Sequence, residues 1–175
     1  MKKTKVCSIL FVAAMITVLS TIRIYAVNGD DMKALTNTVV DALNEAQSTP
    51  KNKEKIVERL KKEFSNAEEN LNAMTDEVNR LIPQTVAELN DRFRALEYKN
   101  LSAKLAIYQM IIGNCYLVAG RGLSERNFLE SARDTFRHII TNYSGRSDLQ
   151  SIVKKAEFNL EDIRDDMSKL NKGAK

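Results

Sequence analysis

Apolar residues recur along most of this chain at steps of three and four, the period of a helix with one buried face. The first stripe follows Asp30 and Asp31, whose carboxylates suit the positive end of a helix, and runs through Met32, Leu35, Val39, Leu43 and Ala46. Val40 and Ala42 widen it. Gln47-Ser48-Thr49-Pro50 ends it, with Thr49 placed to cap a second helix and Pro50 at that helix's first position. The second stripe is the most regular. Leu60, Phe64, Ala67, Leu71, Met74, Val78 and Leu81 alternate steps of four and three, a heptad seam. Glu58–Lys62 and Asp76–Arg80 form i, i+4 pairs on its charged faces. Pro83 breaks or kinks this helix, because it has no amide N–H and its ring crowds the preceding turn. The pattern resumes at Val86, Leu89, Phe93 and Leu96.

Past a weak boundary at Lys99-Asn100 the pattern changes. No charge lies between Lys104 and Arg121, and Leu105, Ile107, Ile111, Ile112, Cys115 and Leu117 leave no clear polar face, as expected of a helix buried nearly all round. Residues 105–120 are only 16 in number and include Gln109 and Asn114, too short and too polar for a bilayer span. Gly120 and Gly122 predict its end, and Ser124 the cap of the next helix, with Leu123 and Phe128 as a hydrophobic staple. That helix carries Leu129, Ala132, Phe136, Ile139 and Ile140. After a turn at Ser144-Gly145-Arg146, Ser147 and Gln150 predict a capping box for a last helix with Leu149, Ile152, Val153, Ala156, Leu160, Ile163, Met167 and Leu170 inside. Residues 171–175 read as a frayed tail.

These elements predict an all-α fold of antiparallel helical hairpins or a bundle, with one long heptad-patterned helix. The length, 175 residues, fits about one folded domain, and only two prolines and six glycines interrupt it. No Asn-Gly or Asp-Gly pair joins two alternating runs; Asn28-Gly29 only follows the leader. The expected division is a leader at 1–26, amphipathic, coiled-coil-like helices at 27–100, a helical hairpin with a last helix at 101–170, and the tail.

Charge changes the picture at the N-terminus. Lys2, Lys3 and Lys5 precede an apolar run from Val6 to Ile22, and Ala26 suits the last position of a signal-peptidase site. A cleaved signal peptide is the first reading, and an uncleaved anchor through residues 6–22 the alternative. Both put the remainder in the periplasm or outside the cell, and membrane contact is expected only if the leader is retained. With Arg23, the leader holds four bases and no acid; subtracting them from the 27 basic residues leaves a remainder balanced against 23 acids. The net charge of +4 therefore belongs to the leader and gives no reason to expect nucleic acid as a partner. Cys7 precedes the apolar run, so it is not placed like a lipoprotein cysteine, and Cys115 reads as a small core residue.

Ile112-Gly113-x-x-Tyr116 resembles the Leu-Gly-x-x-Tyr element of the first helix of a tetratricopeptide repeat. Ala132-x-x-x-Phe136, with Ile139 and Ile140, is similar to the Ala-x-x-x-Phe element of the second. Residues 136–144 also look like the end of such repeats in exported bacterial proteins. The two elements are further apart than in the consensus, Gln109 stands where a tryptophan opens the motif, and Ser144 replaces a closing proline. The resemblance covers residues 101–144, one degenerate repeat, and an ordinary helical hairpin remains the alternative. It implies a concave groove for a protein or peptide, with Gln109, Asn114 and Arg121 as polar contacts.

Candidate chemistry is sparse. His138 is the single histidine, and no HExxH, CxxC, P-loop or GxSxG motif occurs. Gly120-Arg121-Gly122 follows no strand, so it reads as a helix end rather than a phosphate loop. Glu157, Glu161 and Asp165, with Asp162 and Asp166 beside them, read as a solvated helix face rather than a cation site. The expectation is a non-enzymatic exported protein without cofactor or metal, acting in protein–protein interaction or scaffolding in the cell envelope. The alternative is a coiled-coil structural or chaperone-like protein that forms a homo-oligomer through 56–96.

Overall fold

The computed structural model describes residues 29–173. The signal-peptide and anchor readings of residues 1–26 lie outside the described residues. In chain order the helices are α1 (Gly29–Ser48), α2 (Lys53–Arg80), the single turn α3 (Val86–Leu89), α4 (Arg92–Leu123), α5 (Arg126–Tyr143) and α6 (Gln150–Gly173). Short 3-10 turns at Pro50–Asn52 and Ser147–Leu149 join α1 to α2 and α5 to α6. No strand occurs among the described residues, and the fold is all-α.

α4 is the helix on which the others pack. α1 runs parallel to it, since Thr36 Oγ1 lies 3.9 Å from Cys115 Sγ and Leu43 presses on Gly122. α2 runs antiparallel, with Phe64 stacked on Tyr116 at one end and Arg94 bonded to Arg80 at the other. α5 is antiparallel as well, Leu129 lying on Gly120 and Phe136 on Gly113. α6 is parallel again, tied by Asn159 to Asn114 and by Asp166 to Arg121. The five long helices thus alternate in direction, and α4 touches both helices of the pair on either side of it.

Close approach to α4 depends on its small residues. A Cβ at Gly113 would lie 2.7 Å from the Phe136 ring, and one at Gly120 would lie 2.7 Å from a Leu129 methyl and 3.0 Å from the Leu129 amide nitrogen. The helix lacks a polar stripe because neighbours surround it: Ala106, Ile112, Cys115 and Ala119 are all at most 1% exposed. Burying side chains such as Phe64, Phe136 or Leu129 contributes about 1.5–3 kcal/mol each. Three rings close the junction of α2, α4 and α5. Phe64 stacks on Tyr116 at 3.9 Å between centroids, and Phe128 meets Phe64 edge-on at 5.3 Å. The Tyr116 hydroxyl then donates to Glu68 Oε1 at 2.6 Å, which satisfies the polar end of a ring buried for its apolar area.

Several local expectations are corrected. Gly120 and Gly122 do not end α4; they lie inside it as contact points, and the helix stops at Leu123. Ser124 does not cap α5 but takes the left-handed conformation after α4, with φ 54° and ψ 43°. Its N–H donates to Arg121 O and the Glu125 N–H to Gly120 O, the pair of bonds of a Schellman ending. Thr49 makes no side-chain cap, because Pro50 opens a 3-10 turn instead of α2. Ser147 and Gln150 form no capping box; the Gln150 amide donates back to the Ser144 and Arg146 carbonyls. The boundary expected at Lys99-Asn100 falls within α4, so the regions on its two sides share one helix. The tail expected from Asn171 continues α6 to Gly173.

Two substitutions test this packing by urea denaturation. Ser124→Gly is expected to stabilise the fold by about 0.5–1 kcal/mol, because only glycine enters the left-handed region without steric cost. Gly120→Ala is expected to destabilise it by about 1–3 kcal/mol, since the Leu129 backbone stands in the way of the added methyl.

Candidate functional site

α2 and α4 have 28 and 32 residues, roughly 42 and 48 Å of helix, whereas α1 and α5 have 20 and 18, roughly 30 and 27 Å. The longer pair therefore runs past the ends of its neighbours as a two-helix arm. Within the arm the heptad residues Leu71 and Met74 are partly buried and Val78 is buried, so the seam continues where only one partner helix is left.

The tip of the arm is built from polar contacts. Arg94 donates through Nε to Leu81 O at 3.2 Å and through Nη2 to Arg80 O at 2.8 Å, putting a cation on the carbonyl end of α2. Its Nη1 also pairs with Glu88 at 3.2 Å. Thr85 caps α3 by accepting the Glu88 N–H, and Glu88 in return accepts the Gln84 N–H at 2.8 Å. Asp91 caps α4 by accepting the Phe93 and Arg94 N–H groups. Pro83 and this Asp91 cap break the stripe expected to continue through Val86, Leu89, Phe93 and Leu96, which therefore spans two helices rather than one.

On this frame stands a row of large apolar side chains in water. Ile82, Val86, Leu89, Phe93 and Leu96 are 41%, 76%, 67%, 87% and 56% exposed. Single exposed apolar residues are ordinary, whereas a group of them drawn from fifteen consecutive residues is uncommon and makes this segment a candidate interaction surface. Phe93 and Leu96 share one face of α4, with Arg92 and Lys99 to one side of it and Glu97 to the other. The tip is the candidate functional site.

The residues predicted as groove contacts lie elsewhere. Gln109 and Asn114 are inside the bundle, 2% and 8% exposed, because α4 is covered on the faces that carry them. Asn159 Nδ2 donates to Asn114 Oδ1 at 2.9 Å, while Gln109 Oε1 and Asn114 Nδ2 have no partner among the described residues. Arg121 is half-buried and bonded to Asp166 at 2.5 Å and Asp162 at 3.1 Å, which pins α6 to α4. The three therefore line no common groove, and two of the carboxylates read as a solvated row serve Arg121. Among the described residues no group of three or more His, Cys, Asp or Glu side chains is placed to hold a metal ion. Burial pushes the Cys115 thiol up to about 12, so it stays protonated at neutral pH and serves as a core residue. Comparison with family models, with curated proteins and with solved structures finds no match for this chain.

The turn between α5 and α6 is fastened to α4 by Arg146, which donates to Ser102 Oγ at 2.7 Å and grips both oxygens of Asp148. That grip lowers the Asp148 carboxyl to about 2. A depressed folded-state pKa contributes stability above the ordinary value near 3.8 that is lost as pH falls toward 2. Asp148→Asn is therefore expected to lower the urea midpoint at pH 7, and the difference from the parent should close between about pH 4 and 2. In the core, Gln109→Met removes the acceptor without a partner at nearly constant volume and is expected to raise stability by about 1 kcal/mol.

Proposed function

We propose that this chain is a non-catalytic, exported helical protein of the cell envelope that acts in protein–protein interaction, with the tip of the α2–α4 arm as its docking surface. The observation that carries this is the exposed row Val86, Leu89, Phe93 and Leu96 on a tip that polar contacts hold in shape. An unfilled apolar surface on a rigid support offers a partner burial at little ordering cost. Export rests on the basic and apolar pattern of residues 1–26. Kinship with tetratricopeptide repeats rests on the Gly113, Tyr116, Ala132 and Phe136 elements. The alternating array, in which α4 contacts its next and next-but-one neighbours, is compatible with such a repeat and supports that reading.

Self-association is the second reading, and the charges beside the tip favour it. If two copies of α4 pair in parallel along Phe93 and Leu96, the Arg92 and Lys99 side of one faces Glu97 of the other. The surface open to this is shorter than 56–96, since Leu60, Phe64 and Ala67 already pack inside the chain.

A photo-crosslinking residue at position 93, compared with one at Asn37 on the exposed side of α1, tests both readings in producing cells. A discrete heterologous adduct from position 93 alone, lost with Leu89→Glu/Leu96→Glu, is the expected result. An adduct of two identical chains, with a dimer mass by light scattering, shifts the assignment to self-association. Equal labelling from both positions overturns the tip as a site.

A further inference from the structure

The two ends of the helical array differ. The outward face of α1 exposes Lys33, Asn37, Asp41 and Asn44 and no large apolar side chain. Such a polar face closes an array of stacked helices. At the other end α5 and α6 leave an open groove of about 610 Å³. Its floor is Leu160, Ile163 and Met167, and its rim carries Arg133, Arg137 and Arg164. No carboxylate is among its lining residues. Asp134 pairs with Arg133 at 3.0 Å and reaches Arg137 only at 3.9 Å, while Arg164 has no ion pair among the described residues. The groove joins an apolar base to a rim of three guanidinium groups, two of which share the single carboxylate of Asp134.

We infer that this groove is a second docking site, which takes an acidic amphipathic helix of a partner protein. The array itself supplies the shape. α4 packs against both α1 and α2, and α6 packs against both α4 and α5. The position that the same rule fills next lies against α5 and α6. A helix there would bury an apolar stripe on Leu160 and Met167 and set carboxylates beside the three guanidinium groups, which suit planar carboxylates well.

Residues 1–28 contain no Asp or Glu, so that segment does not supply such a helix. A second copy fits poorly as well. Its most acidic helix, α1, carries Asp30, Asp31, Asp41 and Glu45 against Lys33, but its apolar residues are spent on its own core. The tip of the arm mixes Arg92 and Lys99 with Asp91 and Glu97, so it lacks the matching charge.

Fluorescence anisotropy with designed labelled peptides tests the site on the mature chain. The probe is a helical peptide with a leucine stripe at i, i+3, i+4 and i+7 and glutamates on both flanks. Controls are the same stripe flanked by lysines, and the acidic peptide with its order scrambled. The acidic amphipathic probe is expected to bind, to weaken with added salt, and to lose at least about tenfold in affinity to Arg137→Glu/Arg164→Glu. Phe93→Glu at the tip should leave this binding unchanged, which separates the groove from the tip. Circular dichroism confirms that the variants are folded, and Arg137→Gln/Arg164→Gln gives an intermediate loss should charge reversal unfold the chain. Equal binding of the lysine-flanked or scrambled peptide overturns the inference. So does stronger binding of anionic phospholipid vesicles than of the probe, or self-association that the arginine variants abolish.

Discussion

Everything in this molecule depends on α4 being coverable from several sides at once. A helix can meet that many neighbours only if some of its positions have no side chain to hold them off. Gly113 lets Phe136 lie against the backbone, Gly120 does the same for Leu129, and Gly122 for Leu43. Packing of this kind is intolerant, because the interior has close to crystal density and an added methyl has nowhere to go. It also carries a cost in polar groups. Gln109 and Asn114 stand on the covered helix, and among the described residues the only partner of their amide groups is Asn159. Their burial follows from the covering of α4, and it serves the fold more than any ligand.

That tight centre allows α2 and α4 to extend past it. Beyond the ends of α1 and α5 the arm has only two helices, which is too little to bury a row of aliphatic and aromatic side chains. Local polar devices take over from burial there: Thr85 and Asp91 cap two helix starts, and Arg94 closes the end of α2. Each such cap is worth about 1 kcal/mol. Exposing Phe93 and Leu96 instead forgoes roughly 1.5–3 kcal/mol apiece. The bonds that shape the tip run through polar side chains and backbone, so its exposed apolar side chains take no part in them.

The helices were legible in the sequence wherever a stripe ran at helical period, and Pro83 marked the end of α2 correctly. Signals of one or two residues were read less well. Glycine at a helix end and glycine under a neighbouring side chain look the same in a sequence, so Gly120 and Gly122 read as a stop when they are contacts for Leu129 and Leu43. The heptad steps through Val86, Leu89, Phe93 and Leu96 looked like more buried seam. Periodicity reports which residues share a face, not whether another helix covers it, and the absence of a cover here comes from helix lengths that only the fold reveals. A signal was present nonetheless. Thr85-x-x-Glu88 is a helix start and Asp91 another, and two starts within seven residues do not fit one continuous helix.

Tip and groove are unsatisfied for different reasons, which bears on the interaction role proposed for this chain. The tip is apolar with charges of both signs beside it, so it offers burial first and little selection by net charge. The α5–α6 groove sets Arg133, Arg137 and Arg164 around its floor, so the acidic helix proposed for it would be selected by charge before contact is made. The groove belongs to α5 and α6, whereas the tip belongs to α2, α3 and α4. Leu129 on Gly120 and Arg121 on Asp162 and Asp166 link α4 directly to that second pair. If both proposed sites take partners, a partner at one is set in orientation to the other through α4, with no moving part required.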